Sequence, residues 1–463
     1  MTSPRSRANA ARLCCLSLSI ILAPLTFSRS ALAEKILANG DDWQVFTDGR
    51  VGGFFSWVYG QGFPQATYAY VNDPNNPGQT VWQQIRDVKG GGFAAIPEQV
   101  PTVEGQQPDR GTINTMRVRS GFIGNTLGVG VRQQITPWST VTGYIQFWAY
   151  IESEGRQKNV RNYIDVRQGY AKFESWWGSI LAGRTRALFS RGATDIDTLY
   201  AHRWGVGWPG GSNIDNFGPT MGQIGFGVMG SGFAAGIIYG TPVLRGFQLN
   251  IGAFDPIALY GNGSYTRTKY VRPEAELTFE RKFGATGKIV LFGNGVYQKV
   301  YKGLCTPQPD PTLPGCEATA AGVGYGGRFE LGPVHLGAAG HYGKGLGTNY
   351  ALESTDASTD SAGNLRKVDG YYLQSQFVLG RVDLSAGWGI DRIFLTSFDL
   401  LPVPEGNVVH SNLKYQMGIN AGVVYHLSPN FHLDIDYFRA QATWFYGESQ
   451  VVHAMNAGMT LNW

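Results

Sequence analysis

Lys414-Tyr-Gln-Met-Gly-Ile-Asn-Ala-Gly-Val-Val-Tyr-His426 runs into Leu427-Ser-Pro-Asn430 and then into Phe431-His-Leu-Asp-Ile-Asp-Tyr437. In the first run Tyr415, Met417, Ile419, Ala421, Val423 and Tyr425 alternate with Lys414, Gln416, Gly418, Asn420 and His426. In the second, Phe431, Leu433, Ile435 and Tyr437 alternate with His432, Asp434 and Asp436. A period of two puts apolar residues on one face of a strand and polar residues on the other. Ser428-Pro429-Asn430 supplies the turn, so the stretch is a β-hairpin.

The same pattern extends in both directions. Upstream, strands are expected at residues 42–59, 113–135, 141–151, 162–173, 179–185, 221–241, 247–254 and 269–281. They continue at 288–300, 319–331, 334–342, 370–379 and 382–391, and a last strand ends on Trp463. The phase of 113–135 changes near Gly121 to Gly124, which predicts a bulge. With the opening hairpin this gives about sixteen strands, joined alternately by tight turns and long polar loops. Residues 61–111 form the first and longest such loop.

Composition narrows the solutions. Of 463 residues 64 are Gly, 13% are aromatic and only 16% are charged. No apolar run long enough for a membrane helix occurs beyond the N-terminus. Residues 1–33 read as a Sec-type signal peptide: Arg5, Arg7 and Arg12 precede an apolar segment at 13–27, and Ala31-Leu32-Ala33 predicts cleavage after Ala33. Residues 34–463 form the expected mature domain. The signal carries four arginines and no acid, and removing them from 38 basic residues leaves 34 against 34 acidic residues. Nothing in that balance supports nucleic-acid binding. Cys305 and Cys316 remain in the mature chain and flank a Pro-rich loop, which reads as a loop disulfide in an oxidising compartment. No cofactor motif or closed metal-ligand set appears.

Alternating strands suit either a soluble sandwich or a membrane barrel. About ten residues suffice to cross a bilayer as a strand, a closed barrel leaves no edge unpaired in lipid, and Tyr, Trp and Phe at strand ends suit interfacial girdles. Sandwiches seldom reach sixteen strands without a domain break. The fold class is therefore all-β, a transmembrane antiparallel barrel with apolar residues facing lipid. Residues 187–219 lack strand or long-helix periodicity and mix Arg191 and Arg203 with Asp195, Asp197 and Asp215. A loop this long needs a task; we expect it to fold into the lumen and narrow a water-filled pore.

Three segments resemble the Gram-negative general porins. Asp165-Val-Arg-Gln-Gly-Tyr-Ala-Lys-Phe173 followed by Trp177-Gly-Ser-Ile-Leu-Ala-Gly-Arg184 is similar to the strand pair before that family's constriction loop. Tyr239-Gly-Thr-Pro-Val-Leu-Arg-Gly-Phe247 is similar to the turn after it, and the final aromatic, Trp463, resembles the signal read by the barrel-insertion machinery. The resemblance implies a homotrimer in the outer membrane, with the third external loop folded into each pore. It implies a basic ladder, for which Arg50, Arg119, Arg132, Arg167 and Arg184 are candidates, facing Asp195 and Asp197 on that loop. It also implies passive diffusion of small hydrophilic solutes and ions. The long first loop departs from the family, as do Arg191 and Arg203, which can anchor the constriction loop to the wall.

Other chemistry is weighed on the same residues. A substrate-selective channel for a sugar or an anion would need an affinity track, for which Tyr144, Trp148 and Tyr150 are the candidates. An outer-membrane hydrolase would need a nucleophile set at the rim, and none is placed. His426, His432, Asp434 and Asp436 share one lumen face and read as a hydrated wall patch rather than a metal or acid-base site. Gly322 to Gly327 lies inside an alternating strand with no helix after it, so it is no phosphate loop.

Overall fold

The computed structural model describes residues 34–73, 76–89, 91–92, 103–119, 124–149, 164–198, 223–259, 265–303, 315–352, 358–402 and 407–463. Residues 1–33, the expected signal peptide, lie outside them. Among the described residues twenty strands form, in chain order: β1 (Lys35–Asn39), β2 (Trp43–Gln61), β3 (Thr67–Asn72), β4 (Thr80–Lys89), β5 (Thr112–Arg119), β6 (Asn125–Thr136) and β7 (Ser139–Ala149). Then follow β8 (Asp165–Ser175), β9 (Gly178–Arg186), a short helix α1 (Arg191–Ile196), β10 (Phe233–Gly240), β11 (Phe247–Phe254), β12 (Arg272–Phe283) and β13 (Gly287–Tyr301). The last are β14 (Glu317–Leu331), β15 (Val334–Lys344), β16 (Lys367–Leu379), β17 (Val382–Phe394), β18 (Val409–Ser428), β19 (Phe431–Trp444) and β20 (Ser449–Asn462).

Apart from β3 and β4, they close into an antiparallel barrel of sixteen staves. β2 pairs with β6 from Trp43 to Arg50 and with β5 from Phe54 to Gln61, so β5 and β6 are one stave interrupted where the sequence predicts a bulge. Each later strand pairs with the next, and β20 returns to β2, from Gly60↔Val452 to Arg50↔Asn462. At that seam Trp463 and Gly49 exchange two backbone hydrogen bonds, of 2.9 and 3.0 Å. Closure satisfies every ladder from within, which is what hydrocarbon demands of a spanning sheet. β1 pairs with residues 44–47 of β2, in line with β20 beyond its end.

The alternation read from sequence is the alternation of faces. On β2, Val51 and Phe55 face out at 51% and 48% exposure, while Phe54 and Ser56 face in at 3% and 2%. Tight connections such as Gly332-Pro333 and Gly380-Arg381 mark one end, where Trp138 and Trp176 stand exposed at the interfacial level. The long loops mark the other.

Two stretches depart from the expectation. Residues 221–241 are not one strand: only Phe233–Gly240 joins the wall, and 223–230 lie inside the barrel. Positive φ at Gly225 (80°) and Gly227 (102°) breaks the extended backbone there. The first long loop also carries structure. β3 and β4 form a hairpin, and Arg86–Lys89 of β4 pairs in parallel with Val409–Asn412 of β18, extending the wall above the membrane.

Candidate functional site

After β9 the chain turns into the lumen, and it leaves again at β10. Ala187 N–H donates to Gly232 O (2.9 Å), closing the base of this loop. The described residues form two limbs, 187–198 and 223–232.

The first limb is held by charge. α1 has six residues, too few to persist alone. Arg186 grips it from the end of β9: Nη1 donates to Asp195 Oδ1 (2.6 Å), Nη2 to Arg191 O (3.3 Å), and a further bond reaches Thr194. Across the lumen, Arg191 Nε donates to Glu276 Oε2 (3.0 Å) on β12. Glu274, two residues earlier, accepts the Phe189 N–H (2.8 Å) and pairs with Arg272 (2.8 Å). Tyr372 on β16 donates to Ala193 O (2.9 Å). Asp197 is 3% exposed and accepts from Gln374 Nε2 (2.6 Å) and from the Gln223 backbone N–H (3.1 Å), which ties the two limbs to each other and to β16.

The second limb is held by shape. Gln223 to Val228 make a tight turn, with Phe226 N–H donating to Gln223 O (2.8 Å) and Gly225 N–H to Val228 O (2.8 Å). Phe226 is fully buried against Phe438, ring centroids 5.0 Å apart. The wall makes room by omission: a Cβ at Gly389 would lie 1.9 Å from Phe226 O, and one at Gly418 would lie 2.7 Å from the Phe438 ring. Gln223 Nε2 donates to Asn420 Oδ1 (3.1 Å) and Gln416 Nε2 to Gly225 O (3.1 Å).

The expected ladder is distributed unevenly. Arg50 faces in and is buried. Arg132 faces in near the tight-turn end, where it pairs with Glu34 (3.0 Å) and covers the Phe46 ring at 4.8 Å. Arg167 pairs with Asp165 (3.0 Å) and covers Trp148 at 4.6 Å. The side chain of Arg119 lies outside the described residues, as does Arg203. Arg184 is a correction. Its register partners are Gly169 and Ala235, and Leu181, Gly183 and Thr185 occupy the inner phase of β9, so Arg184 stands on the outer face. The conclusion follows from strict period-two alternation, fixed by Leu181 packing inward and Thr185 bonding Gln168 (3.0 Å).

Around the lumen, the residues on the two sides differ in charge. Staves β2 to β8 present Arg50, Arg132, Arg167 and Lys172 together with Asp48, Asp165 and Glu174, the last two paired with Arg167 and Lys172. Staves β12 to β19 present Glu280, Glu330, Asp383, Asp391, Asp434 and Asp436 besides the two loop anchors on β12, with Arg272, Lys288 and Arg328 among them, and β19 lies two staves from β2. Several form ladder pairs on their own wall, such as Lys288–Glu280 and Arg328–Glu330 (both 2.8 Å).

The aromatic candidates are occupied. Trp148 is 6% exposed, Tyr144 stacks on Phe46 and donates to both oxygens of Asp48 (2.8 and 2.9 Å), and Tyr150 lies outside the described residues. A stacking track needs open ring faces. His426 and His432 lie inward near the turn that joins β18 to β19, with Nδ1 atoms 2.9 Å apart, and His426 Nε2 lies 3.0 Å from Asp383. The loop anchors Glu276, Gln374, Gln416 and Asn420 were not among the expected site residues; their only sequence signal is an inward phase.

A family model described as Gram-negative porin matches residues 62–442. The chain belongs to the Gram-negative porin family. Among solved structures, the porin is similar to the outer-membrane channel DcaP of Acinetobacter baumannii, with TM-score 0.57, 13% identity, and 92% of this chain covering 99% of that one. It is similar to an anion-selective porin from Comamonas acidovorans, with TM-score 0.52, 13% identity, and coverage of 91% and 100%. At such identity the likeness concerns the fold. Among curated proteins none matches this sequence. Family and fold together make the chain an outer-membrane channel for passive diffusion.

Proposed function

We propose that the porin is a general diffusion channel, passing small hydrophilic solutes and ions without a binding step or catalysis. The anchored lumen loop is the observation that carries this reading. Its two limbs are bound to β12, β16 and β18, across the ring from inward Arg50, Arg132 and Arg167; Arg119 stays a candidate member of that group. Opposed charge across a narrow lumen orders water and screens solutes by size and dipole. Asp195 and Asp197 act in it as anchors as well as charges.

Planar-bilayer conductance tests the reading. Large ohmic steps without solute block are expected, and saturable block by one sugar or anion would replace general diffusion with a selective channel. Replacing both aspartates (Asp195→Asn, Asp197→Asn) is expected to shift the reversal potential in a salt gradient while the barrel still assembles. An unchanged potential removes them from the charge lining of the pore.

The same reading includes a homotrimer. On the outer face of β7, β8 and β9, Gly143, Ala171 and Ala182 form one register row beside the outward Arg184. An arginine facing lipid costs up to about 4 kcal/mol depending on depth, so this patch suits contact with another subunit. We further assign cleavage after Ala33, insertion directed by the strand ending at Trp463, and a Cys305–Cys316 disulfide. Cys316 is disulfide-bonded, and Cys305 lies outside the described residues.

A further inference from the structure

Where β18 turns into β19, the ladder sets His426 directly opposite His432. The two rings stand edge to face, with centroids 4.8 Å apart at 84°, and their Nδ1 atoms lie 2.9 Å from each other. Each outer nitrogen is held from behind. Asp383 Oδ2 on β17 lies 3.0 Å from His426 Nε2, and Asn462 Nδ2 at the end of β20 lies 3.1 Å from His432 Nε2. One proton arrangement satisfies all three contacts with both rings neutral. Asn462 donates to His432 Nε2, His432 Nδ1–H donates to His426 Nδ1, and His426 Nε2–H donates to Asp383. The two Nδ1 atoms therefore share one proton, and the His426 side chain, 29% exposed, stays open to lumen water.

Two imidazole nitrogens that face each other across a proton can also face a metal. Neutral imidazole is a ligand for Cu2+, Ni2+ and Zn2+. With metal–nitrogen bonds of about 2.0 Å, neighbouring corners of a square plane lie about 2.8 Å apart and those of a tetrahedron about 3.3 Å. The observed spacing matches the square plane, the geometry Cu2+ prefers. Asp383 behind His426 is the carboxylate that orients a ligating ring. The protons balance within the pair. The His432 proton moves from Nδ1 to Nε2, where the turned Asn462 amide accepts it, so a neutral pair takes the ion without releasing a proton.

Among the described residues no three ligating side chains converge. Asp434 and Asp436, on the same face, are engaged by Thr460 (3.3 Å) and Asn456 (2.7 Å). The remaining coordination positions fall to water. Arg50, register partner of Asn462, acts electrostatically on His432 and lowers the affinity for any cation beside it.

We propose that His426 and His432 form a two-histidine chelate for a divalent transition metal ion, Cu2+ foremost, at the tight-turn mouth of the channel, with Asp383 as a positioning residue. Passive diffusion makes no use of it.

The test is Cu2+ titrated into the tag-free, chelator-stripped barrel in detergent, followed by calorimetry and electron paramagnetic resonance. The wild type is expected to hold one Cu2+ at this site with coupling to two ring nitrogens. His426→Gln and His432→Gln are each expected to leave one coupled nitrogen and to weaken binding by more than the about 10–100-fold that loss of an outer-shell partner costs. Asp383→Asn is expected to keep both nitrogens and weaken binding about ten-fold. His410→Gln, at an exposed histidine at the other end of β18, is expected to leave binding unchanged. Channel conductance of each variant verifies an intact barrel. Cu2+ affinity in the double histidine variant equal to that of the wild type overturns the proposal, as does a wild-type spectrum with one coupled nitrogen. Unchanged affinity in Asp383→Asn removes that residue from the site.

Discussion

The two limbs of the lumen loop are both packed inside the barrel, but only the first adds charged anchors to its packing. Residues 187–198 bury Leu188, Phe189 and Ile196 against the wall and add a set of mostly buried ionic anchors, Arg186, Arg191, Glu274, Glu276 and Asp197. Residues 223–232 hold on through a buried phenyl ring seated where Gly389 and Gly418 leave space. Ionic anchors fix direction and charge at long reach; a packed anchor fixes position and leaves no slack. A pore narrowed by such a loop can be retuned electrostatically at one limb without releasing the other.

The sharpest way to break this contrast is Phe226→Ala. A fully buried aromatic is lost with its cavity only partly refilled, so the second limb is expected to loosen by about 3–5 kcal/mol. Hydrogen exchange at residues 223–230 and single-channel noise should both rise, with the barrel wall protected as before. Arg191→Met comes next: it leaves Glu276, 2% exposed, without its cation. We expect about 2 kcal/mol at the first limb, read as faster exchange at 191–196, with 223–230 unaffected. Equal loosening of both limbs in either variant would show that the loop moves as one body.

The smallest effect is expected outside the lumen, at the tie between the loops after β15 and β17. Arg366 donates to Asp399 (2.6 and 3.0 Å), and Thr396 adds its backbone N–H (2.9 Å). Burial alone would push the Asp399 carboxyl up, but these donors outweigh it and hold it below the usual carboxylate range. A depressed carboxyl stabilises the fold above its unfolded value, near pH 4, and that contribution is lost as pH falls through the lower folded value. Exchange at 396–402 should therefore rise below about pH 4, while the Phe226 anchor stays indifferent to pH.

The wall was legible because lipid outside and water inside leave each residue only two choices. β18 and β19 carry that choice from Tyr415 to Tyr425 and from Phe431 to Tyr437, where the faces match the sequence pattern; at the register shift before Tyr415 the expected inward Lys414 is exposed and Leu413 is buried. The same rule misled where something other than lipid rewarded alternation. Ile224, Phe226 and Val228 alternate with Gly225 and Gly227 and read as strand, yet they pack a turn against the inner wall. Arg184 followed a motif into the pore, whereas the phase of Leu181 and Thr185 sends it outward. The loop anchors stayed hidden for a different reason: Glu276 lies 85 residues from Arg191, and Asn420 lies 197 from Gln223. No local pattern encodes such partners. The hairpin β3–β4 and strand β1 were missed because each depends on neighbours far along the chain.

The seam between β2 and β20 has a consequence for biogenesis. The first full-length stave cannot find its second neighbour until the last one exists, so a growing or half-exported chain carries two raw sheet edges through its whole life. Such edges invite pairing with any other strand they meet, and non-local closure is slow. Protection of those two edges until they meet is what this geometry asks of the cell, long before any solute crosses.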